Sequence, residues 1–214
     1  MGVAISRRRH RRQPFDAMLV VAGTAVMALS ALPVSPATVS GAEEGAFRAM
    51  NDLPDAPFAL VWAPMQLGSI MAVPAAALVA AATRRVRMSL ALALGGLWAW
   101  LAAKVVKSWV MRGRPGALVE EAVLRDAPTG GLGFVSGHAA VAVALATLAW
   151  PYLGSKGRAI VAVLAILVGA LRIYVGAHLP LDIVGGAGLG LVAGGLVHLA
   201  LGRPSPPAPE PRPC

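Results

Sequence analysis

Six stretches of this sequence approach the ~20 mainly apolar residues that a helix needs to cross a bilayer. They fall at about 16–33, 58–82, 88–106, 137–153, 159–176 and 181–201, the second interrupted by Pro64 and Pro74. Inside hydrocarbon every backbone N–H and C=O needs an internal partner, which apolar runs of this length meet as helices. The sequence therefore predicts an all-α integral membrane protein with six transmembrane helices. Only 14% of its 214 residues are charged, against roughly 25% in globular chains.

The basic residues order these spans. Arg7, Arg8, Arg9, Arg11 and Arg12 precede the first; Arg84, Arg85 and Arg87 separate the second and third; Lys156 and Arg158 separate the fourth and fifth; Arg203 and Arg212 follow the sixth. All four groups fall on one side of a six-span chain, which the positive-inside rule makes cytoplasmic. The loop at 34–56 on the other side holds Glu43, Glu44, Asp52 and Asp55 against Arg48. Both termini are thus expected in the cytoplasm. The expected organisation is a basic N-terminus at 1–15, a six-span domain at 16–201 and a disordered proline-rich tail at 202–214. The first span reads as an uncleaved anchor in preference to a signal peptide. The formal charge of +9 sits beside apolar runs and suits anionic membrane lipids, not nucleic acid. The lone cysteine, Cys214, excludes an intramolecular disulfide and a thiolate metal cluster.

This topology gathers the polar residues of three separate stretches at one membrane face. Lys107 ends the third span and Arg114 follows it. Ser136 and His138 open the fourth. Arg172 and His178 close the fifth, and Asp182 opens the sixth. A charge at the bilayer centre costs about 2.5–3.5 kcal/mol on insertion scales, so such residues mark a site by default. Lysine and arginine donors suit a phosphate. Ser136 is placed to cap a helix whose free N–H groups and dipole favour an anion, and Gly137 lets that anion approach the backbone. Asp182 stands four residues after His178, with Pro180 between them suited to a first helical turn, and can orient the imidazole. His138 is a second imidazole able to give a proton to a leaving group. These roles compete with blander ones: Lys107 as an interfacial anchor, Arg172 as a snorkelling side chain, His138 and Asp182 as helix-start residues. Lys104 reads as a snorkelling side chain, Arg112 as a solvated loop charge, and Glu120, Glu121, Arg125 and Asp126 as a polar loop. His198 matches no chemistry. The glycines between 185 and 195 suit helix packing.

Three motifs bear a resemblance. KSWVMRGRP (Lys107 to Pro115) fits K-x6-RP, VSGH (Val135 to His138) is similar to PSGH, and LRIYVGAHLPLD (Leu171 to Asp182) resembles SR-x5-H-x3-D. In this order they resemble the type 2 phosphatidic acid phosphatase superfamily, which also includes the vanadium haloperoxidases. The resemblance spans about residues 57–201. It implies that His178 attacks phosphorus and forms a phosphohistidine, that Asp182 holds His178, and that His138 protonates the leaving group. It implies that Lys107, Arg114, Arg172, Ser136 and the Gly137 amide bind the phosphoryl oxygens. No metal and no cofactor is expected. Val135 and Leu171 stand where the family pattern has proline and serine, which points to altered substrate preference. The expected activity is hydrolysis of a lipid phosphate on the extracytoplasmic face, with polyprenyl diphosphate first and phosphatidylglycerol phosphate or phosphatidic acid as alternatives. A non-catalytic anion- or lipid-binding domain is the competing class. The two imidazoles imply a bell-shaped pH profile between slightly acid and neutral pH.

Overall fold

The computed structural model describes residues 10–204. Arg7, Arg8, Arg9 and the tail from 205 to Cys214 lie outside the described residues. The elements are α1 (Pro14–Ala31), α2 (Gly41–Asn51), α3 (Phe58–Met65), α4 (Ala72–Ala82), α5 (Val86–Val110), α6 (Pro115–Leu118), α7 (Gly137–Ala149), α8 (Ser155–Tyr174) and α9 (Pro180–Leu201). The only strands among the described residues are His10–Arg11 and Arg203–Pro204, paired antiparallel. They bring the two described ends of the chain together.

α1, α5, α8 and α9 are each long and apolar enough to cross a bilayer, and α3 with α4 makes a fifth span if that bent pair is counted as one. This departs from six simple spans in two places. The expected helix over 58–82 breaks and turns by 72° between Gly68 and Ala72. Pro74 has no N–H to give to Ile70 four residues back, and its fixed φ suits the first turn of a new helix. The expected span over 137–153 is a 13-residue helix followed by a three-residue 3-10 turn, Trp150–Tyr152. Pro151 inside that turn cannot continue the α-helical ladder. α7 can be short because it is wrapped by other helices: Ala139, Ala140, Val141, Ala142, Ala144 and Leu148 are all buried.

The core sits where α5, α7 and α9 meet, with Ala99, Ala103, Phe134, Val135, Ala140, Ala144, Leu189 and Ala193 in one buried cluster. Small side chains let these helices come close. α1 lies close against α9. A Cβ on Gly23 would stand 2.6 Å from the Gly188 carbonyl oxygen, and a Cβ on Gly188 would stand 2.6 Å from that of Gly23. At one end of the bundle Asp16 of α1 meets His198 at 3.6 Å and Arg203 at 3.3 Å. The opposite end carries α2, the long segment 111–136 and the turn 175–179, and it is there that the predicted site residues converge.

Candidate active site

Each arm of the site is held by a local feature. α5 stops at Val110 because Met111 turns into the left-handed region, at φ 54°. In the last turn before that stop, Lys107 Nζ donates to the carbonyls of Leu132 (2.7 Å) and Gly133 (2.6 Å). An ammonium has three donors, so one remains. Arg114 heads α6 and donates from Nη1 to the Ala177 carbonyl at 3.2 Å. This ties the segment after α5 to the turn between α8 and α9.

That turn presents His178. Gly176 takes φ +76°, which a glycine adopts at no steric cost. The amides of Ala177 and His178 then both donate to the Arg172 carbonyl, at 3.1 and 3.2 Å. Pro180 and Asp182 occupy the first turn of α9. Asp182 Oδ2 accepts from the Leu179 amide at 3.0 Å and lies 3.2 Å from His178 Nδ1. A proton on Nδ1 donated to Asp182 leaves Nε2 with the free lone pair.

Ser136 caps α7, its Oγ accepting from the Ala139 amide at 3.4 Å. Its own amide donates to the Asp182 carbonyl at 2.8 Å, so the starts of α7 and α9 are clamped together. The first-turn amides of Gly137 and His138 precede the helix's own ladder. The charges of Arg172, Arg114 and Lys107 and the His178 imidazole all act on His138. The structure thus brings all eight sequence-predicted residues to one end of the bundle. Three guanidinium groups at this end are incomplete: Nε of Arg112, Arg114 and Arg172 are buried without an acceptor, and of these Arg114 and Arg172 belong to the predicted cradle. Buried donors are rarely left so, and a phosphoryl group is the acceptor that forked donors suit. Among the described residues no cluster of three or more His, Cys, Asp or Glu is arranged to hold a metal ion.

Two residues escaped the sequence reading. Arg112, expected to be solvated, is fully buried. It donates from Nη1 to Asp182 Oδ1 at 3.1 Å, and from Nη1 and Nη2 to Glu43 Oε1 and Oε2 at 3.0 and 2.5 Å. Glu43, expected in an acidic loop, belongs to α2 and is buried there with Phe47 and Asn51. The spacing of these three at i, i+4 and i+8 after the Ser40 cap was the available signal for a helix with one buried face. Arg125 is also more than loop polarity. It donates to the carbonyls of Asn51, Leu53 and Tyr174 and pairs with Asp55. Val135 is buried in the central core, and Leu171 packs beside Val61, Met65 and Tyr174 at the α3–α8 contact.

The sequence profile of the PAP2 superfamily matches residues 85–205. The chain belongs to the PAP2 superfamily. That match contains every predicted site residue. The bundle is similar to the crystal structure of Aquifex aeolicus LpxE, with a TM-score of 0.67 and 25% identity over 74% of this chain and 95% of that one. It is also similar to the first transmembrane PAP2-type phosphatidylglycerolphosphate phosphatase from Bacillus subtilis, with a TM-score of 0.63 and 24% identity over 85% and 93%. No curated protein sequence matches the chain. The fold of this PAP2 protein is therefore the membrane form of the superfamily.

Proposed function

We propose that this PAP2 protein is a metal-independent lipid-phosphate phosphatase that works through a phosphohistidine on the extracytoplasmic face. The observation that carries the reading is His178, buried, with Nδ1 on Asp182, at the end of the bundle where Arg114 and Arg172 each keep a buried Nε without an acceptor. Nε2 of His178 attacks phosphorus while the bond from phosphorus to the leaving oxygen breaks. His138 gives its proton to that oxygen. Water then attacks the phosphohistidine, His138 takes the water's proton, and phosphate leaves. Lys107, Arg114, Arg172 and the amide of Gly137 hold the equatorial oxygens, where charge is spread in the transition state. The basic segments at the opposite end of the bundle support an extracytoplasmic side for the site.

A groove supports a lipid as the substrate. A cavity of about 380 Å³ lies between α4, α5, α7 and α8 and is lined by apolar side chains, seven of them alanines, including Ala142, Ala146 and Ala165. Its upper wall includes Ala142, one turn below His138 on α7, and Val168, one turn below Arg172 on α8. A hydrocarbon chain seated there leaves its phosphate at the cradle. Polyprenyl diphosphate fits this pairing best, with one chain beneath the cradle and a diphosphate among three cations. Phosphate release should be compared as kcat/KM across polyprenyl diphosphate, phosphatidylglycerol phosphate and phosphatidic acid. A tenfold preference for a diacyl lipid would reassign the substrate. No release from any of the three would leave an anion- or lipid-binding domain.

Filling the groove separates tail recognition from chemistry. Ala146→Phe is expected to lower kcat/KM for a long-chain substrate at least about tenfold, near 1.4 kcal/mol. A short-chain analogue should keep its value within about threefold. Equal losses for both chain lengths would contradict a tail in this groove.

The pH profile follows from His178. Burial pushes its imidazole down to about 4 from the usual 6.5, although Asp182 acts in the opposite direction. The nucleophile is neutral at pH 7, and activity falls only as pH drops through that lowered value. The acid limb of kcat/KM is therefore expected well below pH 6. This moves the acid side of the bell lower than ordinary histidines would put it. An acid limb at or above pH 6.5 would contradict it.

A further inference from the structure

Glu43, Arg112, Asp182 and His178 form one buried line of alternating charge, contributed by α2, the segment after α5, the first turn of α9 and the turn that precedes it. We propose that Glu43 and Arg112 are positioning residues that set the orientation and basicity of His178 through Asp182. This rests on the reading of His178 as nucleophile for its effect on turnover, but not for its effect on His178 itself.

The contacts divide the work. Asp182 gives Oδ1 to Arg112 and Oδ2 to the Leu179 amide and His178. With both oxygens committed, the plane of the carboxylate is fixed and so is the imidazole. Arg112 alone would draw Asp182 toward itself and cancel the negative charge that favours an imidazolium. Glu43 offsets this by taking Arg112 in a bidentate pair, which fixes the guanidinium plane. Glu43 Oε1 also accepts from the Leu181 amide at 3.0 Å, so the same carboxylate holds the first turn of α9. The side chains of Arg112 and Asp182 are fully buried and that of Glu43 is 4% exposed. Without water to screen them, removing one charge leaves the others uncompensated. Burial opposes the charge on Arg112, but the hydrogen bonds and charges of Glu43 and Asp182 outweigh it and hold the guanidinium above its ordinary value.

Behind His178 the three groups sum to one negative charge. The other groups facing it are Lys107 from α5, Arg172 from α8, His138 from α7 and Arg114 from the segment after α5. These are unchanged in the variants that follow. Arg112→Met leaves two negative charges behind His178 and should raise its titration midpoint. Glu43→Gln leaves none and should lower it. The double variant restores one and should return the midpoint toward wild type.

The test uses the full chain in detergent and reads the pH dependence of deuterium exchange at C2 of the His178 ring by mass spectrometry, which needs no substrate. Arg112→Met is expected to raise the midpoint by at least about one unit. Glu43→Gln should lower it and Glu43→Asp should restore it in part. The double variant should lie within about half a unit of wild type. At pH 7, Glu43→Gln should also cut kcat at least about tenfold with KM within about threefold. Midpoints equal in all variants, or a double variant displaced as far as Arg112→Met, would overturn the proposal. If Arg112→Met is not recovered folded, the Glu43→Gln midpoint decides, and an unmoved value overturns it. Midpoints that shift as described in a protein that releases no phosphate would sink the phosphatase reading and leave the coupling. Unmoved midpoints in an active enzyme would sink the coupling alone.

Discussion

Replacing His178 with alanine is expected to abolish phosphate release from a lipid phosphate, by about 10⁴-fold or more. The reason is specific to this site. Among its imidazoles only His178 has one ring nitrogen held by a carboxylate, at 3.2 Å, leaving the other free to attack. His138 has no such partner among the described residues, so it can take part in proton transfer but cannot replace the nucleophile. The cradle remains in the variant. His178→Ala should therefore still bind a lipid phosphate or vanadate while failing to turn over. Such a split between binding and turnover separates loss of the attacking group from loss of the fold. Equal release by His178→Ala and wild type would remove the enzymatic reading altogether.

The second large effect is expected at a residue with no side chain. A Cβ on Gly133 would stand 2.7 Å from the Gly113 carbonyl oxygen and 2.8 Å from Asp182 Oδ2. Neither neighbour can yield without breaking contacts of its own. Gly133 donates its amide to the Arg112 carbonyl at 2.7 Å and offers its own carbonyl to Lys107. Asp182 is fixed by Leu179 and Arg112. Gly133→Ala should displace the carboxylate that orients His178 and loosen Lys107 at the same time, lowering kcat/KM at least about 100-fold. Gly130→Ala is the matched control, since a Cβ there meets nothing within 4 Å, and it should behave as wild type. A fully active Gly133→Ala would mean that the Asp182 geometry is not needed.

What could be read from sequence followed from how far each signal reaches along the chain. Apolar runs and the alternation of basic loops are local, and they placed α1, α5, α8 and α9 within a few residues. The three motifs each lie within a dozen residues, and the helix ends they mark do converge in the structure. What escaped was set by tertiary context. The 72° bend after Gly68 was signalled by Pro64 and Pro74, but its angle depends on packing: a Cβ on Gly68 would stand 2.5 Å from the His138 carbonyl oxygen. Arg112 looked solvated because its partner lies 69 residues earlier in the chain. Glu43 looked like loop charge because α2 is a short helix between predicted spans and the partner of Glu43, Arg112, lies 69 residues later in the chain. A buried ion pair reads in sequence as two ordinary surface charges until the fold brings them together.

The phosphohistidine is the central claim, and trapping it is the most direct test. Purified protein would be mixed for milliseconds with a lipid phosphate labelled at phosphorus, with EDTA present, and quenched in alkali. Label that is stable to alkali, labile to acid and confined to the peptide containing His178, and absent from His178→Ala, is the predicted result. Continued phosphate release with no label on that peptide, or label carried equally by His178→Ala, would contradict it.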